Sequence, residues 1–165
     1  MTTTRRSIWW AMPLQAIALF LFSQSALAQS QTTVTAAGDG LFPSGASFNG
    51  VSLSALSFGM GTVNLTDGTA TGAFESTLTG TDTTGVARNI VVVGTPTSGS
   101  GQSGGPATYS GLCSVNPGDG TPSLTGVPFT VTVATLSNGK WGLTLTLGTT
   151  NLPAAALNTG SVTIK

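Results

Sequence analysis

The chain has 165 residues, five basic and five acidic side chains, no histidine and one cysteine. That inventory excludes an internal disulfide, His-ligated zinc and any Ser-His or Cys-His nucleophile, and it leaves no basic patch to neutralise nucleic-acid phosphates. Apolar residues make up 39% of the chain and charged ones 6%, so surface polarity must come from Ser, Thr, Asn and Gly.

The first element stands apart from the fold. Arg5 and Arg6 precede an apolar run over 8–22, broken by Pro13 and Gln15, and Ala26-Leu27-Ala28 supplies a small-x-small cleavage site. Residues 1–28 are therefore expected to be a cleaved secretory signal of bacterial type, leaving a single domain at 29–165. The expected destination is the periplasm or the exterior, with no membrane attachment after cleavage. Without Arg5 and Arg6, Arg88, Lys140 and Lys165 face Asp39, Asp67, Glu75, Asp82 and Asp119, so acids outnumber bases.

Beyond the signal, apolar residues recur with period two and show no helical period. Strands are expected near 32–36 and 51–58. A pattern then occurs twice: Val63-Asn64-Leu65-Thr66-Asp67-Gly68-Thr69 returns as Val115-Asn116-Pro117-Gly118-Asp119-Gly120-Thr121. Allowing two extra residues in the second copy, Gly85 matches Gly139 and Gly94-Thr95 matches Gly148-Thr149. This spacing of about fifty residues predicts an internal duplication over 52–95 and 107–149, each copy a three-strand meander. The shared Asp-Gly supplies the positive φ of the turn into each hairpin.

In the first copy, 73–78 is expected to pair with 86–93 across a turn at 82–85. Ile90-Val91-Val92-Val93 reads as a central strand covered on both faces. Residues 96–106, rich in Gly and Ser, read as a solvated flexible linker between the copies. In the second copy, Cys113 reads as a small buried hydrophobe. Phe129, Val131 and Val133 alternate with Thr130, Thr132 and Thr135, and Trp141, Leu143, Leu145 and Leu147 alternate with Gly142, Thr144 and Thr146. Asn138-Gly139 between them is a strong hairpin signal. A last strand is expected at 161–164. Together these elements predict an all-β fold, an antiparallel β-sandwich of about eight or nine strands, with a closed β-barrel as the alternative.

Chemistry is sparse. A glycosidase needs two facing carboxylates, and Glu75 is the sole glutamate, with Asp67 and Asp82 placed in turns. No enzymatic role and no cofactor are expected. Hard oxygen ligands for calcium exist in the repeated turns, where Asn64 accompanies Asp67 and Asn116 accompanies Asp119; each turn offers a single carboxylate, and turn chemistry alone accounts for these residues. Trp141 and Tyr109 are the aromatic candidates for stacking on a sugar.

In general terms the chain resembles small Thr/Gly-rich exported bacterial sandwiches such as fimbrial-type subunits, without the cysteine pair common in those. The expected function is that of a secreted, non-enzymatic structural or interaction protein that associates with itself or its neighbours through exposed edge strands. The alternative is a carbohydrate-binding module holding an extracellular polysaccharide at Trp141 and Tyr109.

Overall fold

The computed structural model describes residues 31–165; the signal expected at 1–28 lies outside them. Alternation of greasy and hydroxyl side chains produces eleven strands among these residues. They are β1 (Gln31–Leu41), β2 (Ser47–Phe48), β3 (Val51–Thr66), β4 (Thr69–Thr71), β5 (Phe74–Thr81), β6 (Ala87–Gly101), β7 (Ala107–Asn116), β8 (Leu124–Thr135), β9 (Trp141–Leu147), β10 (Thr150–Asn151) and β11 (Ala155–Ile164). In β5, for example, Phe74, Ser76 and Leu78 face inward while Glu75, Thr79 and Thr81 face solvent. Each large apolar side chain so buried contributes about 1.5–3 kcal/mol.

The fold is all-β and every pairing is antiparallel. One continuous sheet wraps a shared core in the manner of a sandwich. β3 pairs with β1 on one side and β5 on the other, and β5 through β9 then pair in succession. β9 meets β11 at only two positions, Ala155 opposite Leu143 and Ala156 opposite Gly142. β11 returns to β1, from Val34 opposite Ile164 to Leu41 opposite Ala156. The ladder thus comes back to its own first strand.

Contacts across the interior tie the two faces together. Tyr109 on β7 donates its hydroxyl to Met60 Sδ on β3 at 2.9 Å. Its ring packs edge-on against Phe74 and Phe129, with centroids 6.1 and 6.3 Å away, while those two stack at 5.8 Å. At one end, Thr32 Oγ1 donates to Gly101 O at 3.1 Å. Leu65 lies so close there that a Cβ on Gly99 would come within 2.8 Å of its Cδ2.

That close approach corrects the reading of 96–106 as a free linker. Its first six residues extend β6, where missing side chains make room for Leu65. Only 102–106 turns, with Gln102 N donating to Pro106 O at 3.2 Å and Gly105 N to Gln102 O at 2.8 Å. Double coverage of Ile90-Val93 is also corrected. Ile90 and Val92 are buried, but Val93 is 50% exposed, because a sheet around a single core has only one covered face.

Two further turns differ from expectation. The Asn-Gly turn with positive φ at both residues forms at Asn49 (48°) and Gly50 (79°), and Asp67 (50°) with Gly68 (80°) does the same. At Asn138-Gly139 only Gly139 is positive. There Leu136 N donates to Lys140 O and Gly139 N to Leu136 O, at 2.7 and 2.9 Å, and Asn138 Oδ1 accepts Lys140 N. The second copy of the repeated motif opens into a loop between β7 and β8, since Pro117, standing where the first copy has Leu65, has no N–H to continue a ladder.

Candidate functional site

The departure from regular pairing that creates a cleft lies at the β9–β11 seam. β9 begins at Trp141 and is preceded by its hairpin turn, so beyond the seam β11 has no paired strand on that side among the described residues. The β1–β11 register slips here: Asp39 faces Thr159 and Gly40 faces Leu157, leaving Asn158 as an extra residue. Such a bulge bends the strand and interrupts its ladder. Two residues on, Gly160 takes φ 110°, and a Cβ there would run into Ala37 O and the Cα of Gly38, its partner across the ladder.

The outcome is a shallow slot of about 280 Å³ whose lining includes Lys140, Trp141, Leu157, Asn158, Thr159 and Ser161. Trp141 is half-buried, with part of its ring against the core. Residues 158–161 are exposed on both faces of the strand. Thr159 Oγ1 donates to Asp39 Oδ2 at 3.0 Å, which orients both groups beside the opening.

Backbone groups also face this slot's side of β11. Thr33 and Lys165 exchange both of their backbone hydrogen bonds, at 2.8 and 3.0 Å. Antiparallel alternation then directs the N–H and C=O of residues 159, 161 and 163 toward β1 and those of Gly160, Val162 and Ile164 away from it. Ile164 O accepts Gly104 N at 2.9 Å. Gly160 and Val162 have no such partner among the described residues.

The other candidates are distributed differently. Tyr109 is 0% exposed, inside the aromatic cluster, and burial pushes its phenol far above the usual range. Its expected role as a sugar platform is therefore corrected: the inward period of β7 that carries Cys113 and Val115 carries Tyr109 too. Cys113 is 4% exposed and burial raises its thiol pKa.

Asn64 Oδ1 accepts Gln31 Nε2 at 3.1 Å and Thr33 Oγ1 at 3.4 Å, bridging β3 to β1. Asp67 sits in the tight turn to β4. Asn116 Oδ1 accepts Gly118 N at 2.9 Å, and Asp119 Oδ1 accepts Thr121 N and Oγ1 at 2.9 and 2.6 Å. The Thr121 hydroxyl is the main cause of a lowered Asp119 pKa. The 64–67 turn lies at the end of β3, whereas Asp119 lies near Asn49 and Val51 at its start. The four residues are not brought together, and the described residues contain no group of three or more Cys, Asp or Glu able to share a metal.

Near Asp119, Asp82 accepts Thr84 Oγ1 (2.7 Å), Thr84 N (2.9 Å), Val86 N (3.0 Å) and Arg88 Nε (2.9 Å). These bonds, the Thr84 hydroxyl foremost, hold its carboxyl well below the usual range. Glu75 lies across from Gly59 and Val93 in an open groove of about 520 Å³.

The sequence reading singled out Trp141 as a stacking candidate but started the last strand at 161, and so missed residues 158–160, which lie within β11. Gly160 within an otherwise polar extended segment was the available signal, since glycine in a strand marks bulges and close approaches. No family model, curated protein or solved structure matches the chain.

Proposed function

We propose that this chain is an exported, non-enzymatic interaction domain that engages its partner through the seam slot, not by adding strands to its sheet. The observation that supports this most is the return of the ladder from β11 to β1, which leaves little free edge. The stretch that remains open at Gly160 and Val162 is short and bulged, two devices that discourage strand addition. The export half of the reading rests on the signal-like residues 1–28. The non-enzymatic half draws support from the carboxylates: Asp82 pairs with Arg88 at 2.8 Å, and Glu75 has glycine and valine as its ladder neighbours. An internal duplication is part of the reading, supported by the turn at 82–86. There Asp82 N donates to Val86 O and Gly85 N to Asp82 O, the same bonds that residues 136–140 make.

Light scattering on the chain from Gln29, which contains every strand described, tests the proposal. A constant monomer mass across a concentration series is the expected result. Growth into regular assemblies would overturn it in favour of a self-associating structural subunit.

A further inference from the structure

Resting on that reading, we infer that the seam slot takes one ring of a neutral, equatorially substituted glycan such as a β-linked glucose or xylose chain, stacked on Trp141. Three observations converge. The first is a partly buried aromatic, packed against the core, in the lining of a slot of about 280 Å³. That volume is at the lower limit of ligand pockets, which run from roughly 300 to 1,000 Å³, and it suits a single ring. Equatorial pyranoses present an apolar C–H face, and indole offers the flat apolar partner for it.

The second is the set of hydrogen-bonding groups beside the ring. Asn158 provides two donors and an acceptor, Ser161 a hydroxyl, and Thr159 an oxygen whose proton is already given to Asp39. Gly160, also in the lining, adds backbone N–H and C=O groups that β1 does not use. A strand cannot easily pair here because Asn158 breaks the register. A polyhydroxylated ring has no register to match and can satisfy donors and acceptors at irregular spacing.

The third is charge. Lys140 lines the slot, and Asp39, which accepts the hydroxyl of the lining residue Thr159, sets one carboxylate beside it. The single lysine of the slot is thus offset by a neighbouring carboxylate, which favours a neutral sugar over a uronate or sulfated one.

The chain supplies its own reporter. Trp9 and Trp10 lie within the expected signal, so Trp141 is the single tryptophan from Gln29 onward. Its emission is to be followed while cellohexaose, xylohexaose and an oligogalacturonate are added at up to millimolar concentration. A saturable shift with cellohexaose or xylohexaose is expected. Asn158→Ala and Ser161→Ala, both exposed, should each weaken it about three- to tenfold, the worth of one hydrogen bond, without changing the melting temperature. No shift with any of the three overturns the inference, as does a response to oligogalacturonate alone. So do neutral-sugar affinities unchanged in both variants, because the ligand would then be elsewhere. If the sugars are silent while light scattering gives a monomer, the glycan inference falls and the interaction domain stands. If Trp141 emission moves only as the chain assembles, both fall.

Discussion

Ser76 points into the core from β5 with 1% exposure, and its Oγ finds no hydrogen-bond partner among the described residues. Its backbone neighbours across the ladder are Phe58 and Val92, so the hydroxyl has lost water and gained nothing. An unsatisfied buried hydroxyl costs about 1–3 kcal/mol. Ser76→Ala removes that cost and leaves a void of one atom, so urea unfolding should show a gain of about 1 kcal/mol. A clear loss of stability would mean that the hydroxyl is bonded in solution. Tyr109 shows the opposite case in the same core: its hydroxyl is equally buried but has Met60 Sδ to bond.

The hairpin turn at 82–86 carries the clearest electrostatic prediction at the level of elements. Asp82 and Asp119 both have carboxyls held below their ordinary pKa by local hydrogen bonds, to Thr84 and Thr121 first of all. The unfolded chain takes up these protons near pH 4, the native turns only at lower pH. Stability from them is therefore complete above about pH 4 and is lost as acid is added below it. Thermal unfolding at about pH 7 and about pH 2.5 should show a large loss in the wild type and a smaller one in Asp82→Asn. Equal losses would remove Asp82 from the account. Turns were also where the sequence was least legible. Asn138-Gly139 and Asn49-Gly50 are the same dipeptide, yet only the second, with paired residues immediately on either side, adopts the two-residue form. Strand positions were legible because alternation is local. What was not legible depends on distant partners: Gly99 and Gly101 form strand because Leu65 needs their space, and Tyr109 is interior because Phe74 and Phe129 meet it there. For the same reason Trp141 could be singled out, while the bulged segment opposite it could not.

At the scale of the whole molecule, the ring of strands is uneven. β1 and β3 share a ladder along nearly the whole of β1, whereas β9 and β11 share two residue pairs. Local opening follows the least-supported element, so the seam should open before the rest. Native-state hydrogen exchange tests this: Ala155 and Leu143 amides should exchange through openings of lower free energy than those of Val131 or Tyr109. Equal protection would indicate that the ring opens only as a unit.

The pairing of the two terminal strands also fixes how the domain responds to tension. β1 begins and β11 ends side by side, antiparallel, with Thr33 and Lys165 as their outermost bonded pair. A pull that separates the two chain ends loads that pair alone, then Thr35 and Thr163, then Ala37 and Ser161, because antiparallel bonds lie perpendicular to the strands. The ladder then peels bond by bond in the manner of a zipper, without sharing the load in shear. Force along the chain thus opens β1 from β11 well before it reaches the aromatic cluster, and the domain is mechanically soft along the axis in which a fibre would load it.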